Sequence, residues 1–157
     1  MTNKTIYNST IEIGLRILIL LVCKKINSYN LDKLVYLDYL LTHSGDIDNT
    51  QDSILPNSPY RFFEFQVNKE KIVNAIDMLW KKGLIDVEYK SNGIFYKANR
   101  LTNMLTENLK SKMANDLKEK AGWVINSFYN ISEKQLNDIF YKELKNKSFS
   151  SPSIRMA

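Results

Sequence analysis

His43 and Cys23 are the only histidine and the only cysteine in 157 residues, and that limits the chemistry at once. A nucleophilic dyad needs thiol and imidazole within hydrogen-bond reach. Cys23 falls inside an apolar helical run, whereas His43 ends a different helix, where the helix dipole alone accounts for an imidazole. Asp46, Asp48 and Asp52 share the early spacing of a calcium loop. That loop needs a glycine at its sixth position, absent here, and a bidentate glutamate where Asn57 stands. No glycine-rich phosphate loop ending in Lys-Ser or Lys-Thr occurs, and neither does GxGxxG or HExxH. The sequence therefore predicts no catalytic residue, no metal site and no cofactor. It is not read as an enzyme.

The elements that position these residues begin with 9–25, STIEIGLRILILLVCKK. Ser9 and Glu12 form a capping box, and the apolar residues after them cover most of the helical cylinder. A helix apolar nearly all round has to be enclosed on several sides. Burying about eight such side chains contributes roughly 12–24 kcal/mol before chain entropy is subtracted. The uninterrupted apolar run, 17–23, is too short for a membrane span of ~20 residues, and no signal-peptide cleavage site follows it. One cysteine permits no internal disulfide, which fits a cytoplasmic protein.

A second helix is predicted over 31–43, with Leu34, Leu37 and Leu41 as its inward line and Tyr36 and Tyr39 off that line. Gly45 is expected to stop it in the left-handed conformation. Residues 46–60 read as a loop, and 61–67 alternates like a strand, with Phe63, Phe65 and Val67 on one side. Asn68 is expected to cap a helix over 69–82 whose inward face is Ile72, Ile76, Leu79 and Trp80, stopped by Gly83. Asn92-Gly93 between two alternating runs predicts a hairpin. Further helices follow over 101–110 and 113–129, with a break at Ser111, and Ser132 and Gln135 cap a last one. The predicted fold class is mainly α with a small antiparallel sheet (α+β), a winged helix with a C-terminal helical extension. Residues 1–100 would form the winged-helix core, with a 44–61 loop insertion. Residues 101–147 would pack on or beside it, and 148–157 would be a disordered tail.

The net charge of +5 is uneven: residues 1–60 hold five Lys/Arg against six Asp/Glu, and 61–147 hold sixteen against eleven. Such a balance suits a solvated lysine-rich surface or a face for an acidic partner or nucleic acid. Lys71, Lys81, Lys82 and Lys90 are the candidate nucleic-acid contacts. Glu70 and Asp77 share the outward face of that helix and would oppose a phosphate backbone at close range. The loop before it is also far longer than the 3–4-residue turn of a helix-turn-helix. A DNA-binding transcriptional regulator is therefore the second reading. The first is a protein interface built from Tyr36, Tyr39, His43, Asp46, Tyr60, Arg61, Phe95 and Tyr96, since Tyr and Arg are enriched at interface centres. Burial of the same aromatics under the C-terminal helices is the alternative.

Three stretches, YNSTIEIGLRILILL (7–21), LDKLVYLDYLLTHSGD (31–46) and KKGLIDVEYKSNGIFYKA (81–98), together with PNSPYR and KEKAGWV (118–124), carry a family likeness. The chain resembles the small middle component (middle component 2 type) of ABC-three-component systems, the Lamassu-type bacterial antiphage operons. The resemblance implies a non-catalytic winged-helix adaptor joining an SMC-like ABC ATPase to an effector such as a nuclease. Its partners would be those two subunits, with DNA possible within the complex and neither a membrane nor a small-molecule substrate. Arg61 would make a charge-assisted pair across that interface.

Overall fold

The computed structural model describes residues 9–24, 28–55 and 60–149. Its elements, in chain order, are α1 (Thr10–Val22), α2 (Leu31–Thr42), a 3-10 turn (Ser44–Asp46), α3 (Arg61–Lys81), β1 (Ile85–Lys90), β2 (Gly93–Ala98), α4 (Arg100–Glu107), α5 (Lys112–Phe128) and α6 (Glu133–Phe149). The fold is mainly helical with one small antiparallel sheet, as the sequence predicts.

α1 is the central helix. Glu12 N–H donates to Ser9 Oγ at 3.2 Å, and Ile13, Ile17, Leu18, Ile19, Leu20 and Leu21 are buried behind that cap. α2, α3, α4 and α5 all pack around it, which satisfies a helix with almost no polar face. α2 is just as enclosed. Asn30 caps its first turn through Lys33 N–H at 2.9 Å, and every residue from Lys33 to Thr42 is buried. The aromatics off its leucine line therefore meet a further element, α6, through Phe140.

Two local expectations are overturned. Residues 61–67 form no strand; they are the first two turns of α3, which runs unbroken through Asn68 to Lys81. Buried Phe65, Ile72, Ile76 and Leu79 follow the helical period, while Phe63 is left 69% exposed. An isolated alternating run has no partner for its ladder, whereas a helix satisfies its own backbone. Gly45 does not take a positive φ either. Its need is spatial, since a Cβ there would stand 2.9 Å from Ser53 Oγ and 3.0 Å from the Gln51 carbonyl. Gly83 does stop α3, with φ 72°.

The hairpin pairs Ile85 with Ala98 through Lys90 with Gly93, so Ser91 and Asn92 make the turn. Tyr29, between α1 and α2, exchanges both backbone hydrogen bonds with Tyr96, at 3.0 and 2.8 Å. A one-residue third strand is thereby added along β2. At the C-terminal end, Ser132 and Gln135 cap α6 reciprocally. α6 continues through Phe149, into the stretch expected as a tail. Residues 150–157, the prolines of PNSPYR, and Ile6 and Tyr7, which the sequence lets pack as a staple before the Ser9 cap, lie outside the described residues.

Candidate functional site

Five of the residues singled out by the sequence meet inside the protein. Tyr39 Oη donates to Asp46 Oδ2 at 2.6 Å, and Arg61 Nε donates to Asp46 Oδ1 at 2.8 Å. One buried carboxylate thus ties α2, the 3-10 turn and the start of α3 together. His43 stacks on Tyr39 with centroids 4.5 Å apart, and its Nδ1 lies 2.9 Å from Thr42 Oγ1. Tyr36 stacks on Phe65 at 5.4 Å and donates to Asn137 Oδ1 on α6 at 2.8 Å. Tyr39, His43 and Asp46 are all at most 3% exposed. The surface expected at Tyr36, Tyr39, His43 and Asp46 is therefore covered by the protein itself. The charge-assisted pair of Arg61 is made internally, to Asp46.

Burial sets the protonation of this cluster. It pushes the Tyr39 phenol far above its ordinary value, and the hydrogen bond to Asp46 adds to that shift, so Tyr39 stays a donor. Burial lowers the pKa of His43, with the Asp46 and Asp38 carboxylates opposing, and keeps the imidazole neutral. Nearby, Asp38 accepts from Arg16 Nε at 2.7 Å and Nη2 at 3.0 Å. Desolvation works against the Arg16 charge, and the carboxylate more than offsets it. This arrangement holds elements in register. Among the described residues, no group of three or more His, Cys, Asp or Glu is placed to hold a metal ion.

The exposed surface has a different character. One hairpin face carries Ile85, Val87 and Tyr89 opposite Ala98, Tyr96 and Ile94. Its base is core, with Ile85 2% exposed, but towards the tip Ile94 is 47% and Tyr89 78% exposed. α3 faces it with Val73 and Trp80, the latter 51% exposed, although the sequence places Trp80 on the inward face. Between them lies a groove of about 240 Å³, also lined by Leu31, Ile76 and Tyr96. The hairpin has more apolar face than the core covers, and contiguous apolar surface of this kind marks contact sites. Sequence reasoning missed Trp80, Tyr89 and Ile94. Val73, Asp77 and Trp80 at i, i+4 and i+7 form a second line on α3 that pointed there.

The remaining candidates are divided between the two sides of the hairpin. Tyr96 lines the groove, and Phe95 points to the other side. Tyr60 is 64% exposed at the start of α3. Lys71, Lys81 and Lys82 are exposed along α3, with Lys81 paired to Asp77 at 2.7 Å. Lys90 donates to Ser28 Oγ at 2.9 Å.

The domain is mainly helical, with a short hairpin, a buried polar latch and a partly uncovered apolar groove. The family model described as ABC-three component (ABC-3C) system Middle Component 2 matches residues 6–149. The chain belongs to this family and is a component of such a system. Neither the comparison with curated proteins nor that with solved structures finds a match. Among the described residues no helix is long and apolar enough to cross a membrane.

Proposed function

We propose that the chain is a non-catalytic, cytoplasmic adaptor that holds an SMC-like ABC ATPase and an effector, such as a nuclease, together in a Lamassu-type antiphage complex. Membership of the family supports the assignment to a multi-subunit system. Helix, bridging residue, helix, helix and hairpin succeed one another as in a winged helix, with Tyr29 in the place of that fold's first strand. The groove between α3 and the hairpin is the contact surface. Exposed Trp80, Tyr89 and Ile94 carry this reading, because large rigid side chains with bare apolar area are the residues that anchor interfaces.

Co-expression with the neighbouring ATPase and effector genes tests it. Trp80→Ala with Tyr89→Ala is expected to lose co-purification of one subunit while the isolated chain still melts as a cooperative folded unit, since Tyr89 is 78% and Trp80 51% exposed. A complex that survives the double substitution intact sinks the groove as the docking surface.

A further inference from the structure

On the other side of the hairpin from the groove, a polar cleft of about 360 Å³ opens between the turn preceding α2 and the α5–α6 corner. Phe95 and Tyr129 line it, and each ring carries an ammonium group. Lys90 Nζ lies 4.4 Å from the Phe95 centroid, and Lys24 Nζ lies 3.2 Å from that of Tyr129. Lys33 lines the floor, donating to the Phe128 carbonyl at 3.0 Å and to that of Ile131. Asn30 and Ser132, the capping residues of α2 and α6, also line the cleft, so two helix N-termini open on it. Glu133 is at the wall as well. Glu88 lies 3.8 Å from Lys90 and 3.3 Å from Lys97. Of the charged residues that line the cleft, Lys33 stands against Glu133, and Lys24 and Lys90 add the two ammonium groups held over its rings. Hydrogen bonds from the Asn130 and Lys24 side chains hold the Tyr129 phenol below its ordinary value.

An aromatic face beside an ammonium group, with hydroxyl and amide donors around it, takes a base by stacking and a phosphate by charge. Both rings are partly exposed at the cleft. We propose that this cleft binds a nucleotide phosphate together with its base, free in solution or exposed in a single strand. The site is separate from the groove and does not depend on the adaptor reading.

The test uses the purified chain at low salt with three probes: a labelled oligothymidylate of about ten nucleotides, thymidine monophosphate and inorganic phosphate. Lys24→Gln with Lys90→Gln is expected to weaken nucleotide binding roughly tenfold or more, and Phe95→Ala by a comparable factor. Lys24→Arg with Lys90→Arg should retain it, as should Lys71→Gln with Lys82→Gln on α3. Binding of the monophosphate as well as the strand identifies a free nucleotide, and binding of the strand alone identifies single-stranded nucleic acid. Either supports the site. Three results overturn it: no binding of either nucleotide probe, equal loss in the α3 variant, or competition by inorganic phosphate as effective as by the monophosphate.

Discussion

Arg16 and Asp38 meet through two hydrogen bonds in a site where their side chains are 6% and 2% exposed. Truncating one partner of such a pair leaves the other charge buried and costs about 3–5 kcal/mol, whereas replacing both with apolar residues of similar volume costs far less. Arg16→Met should therefore lower stability in urea by about 3–5 kcal/mol, and adding Asp38→Leu should restore most of it. A double variant no better than the single one would show that the pairing is not what Arg16 supplies. His43 gives a pH dependence of known sign. Its folded-state pKa lies below the ordinary 6.5, so between those two values the unfolded chain binds the extra proton. Its contribution is fully present above 6.5 and is lost as the pH falls, with a slope of at most about 1.4 kcal/mol per pH unit. Thr42, Tyr39, Asp46, Asp38, Arg16 and Arg61 surround the ring. Comparison with His43→Gln isolates the effect, because only the parent chain should show the added loss below 6.5. The types of these residues were legible in the sequence, and Tyr39, Asp46 and Arg61 do come together. Burial of the tyrosines under the C-terminal helices stood only as the alternative to an exposed interface, because it depends on Phe140 and Asn137 of α6, about a hundred positions away from Tyr36.

At the scale of elements, α1, α2, the hairpin and the C-terminal helices could all be read from caps and periodicity, since each signal is local. The start of α3 could not. Phe62, Phe63 and Phe65 fit a period of two and a period of 3.6 equally well, and only a partner decides. Phe65 finds Tyr36, Tyr39 and Phe140, and Phe62 meets Tyr141 at 5.8 Å. A strand would put Phe63 and Phe65 on one face, so their truncation would cost alike. In the helix they part: Phe65→Ala should cost about 3–5 kcal/mol, and Phe63→Ala less than about 0.5 kcal/mol. Equal losses in thermal or urea melts would restore the strand. Tyr29 escaped notice for a related reason, since a strand one residue long leaves no alternation to detect.

For the whole molecule, the division at residue 100 expected from the sequence can be put to a direct test. α5 packs on α1 and α2, and α6 packs on α3 and α2. Lys33 Nζ on α2 donates to the carbonyls that end α5, so the N-terminal helices supply a cap for the C-terminal ones. α6 returns the favour with Leu136 and Phe140, 0% and 2% exposed, each worth about 1.5–3 kcal/mol of burial. It also covers Tyr36 and Phe65. A net stability of about 5–15 kcal/mol is typical of a domain, so losing two such side chains and the rings beneath them takes away much of it. A chain ended at residue 131 should therefore melt at a much lower temperature, with a broad transition, and bind a dye that reports exposed apolar surface. Leu136→Ala with Phe140→Ala in the full chain should move in the same direction, which separates lost packing from lost length. If the shortened chain instead melts sharply at the parent temperature, α6 is an appendage, and residues 9–131 hold the stable unit by themselves.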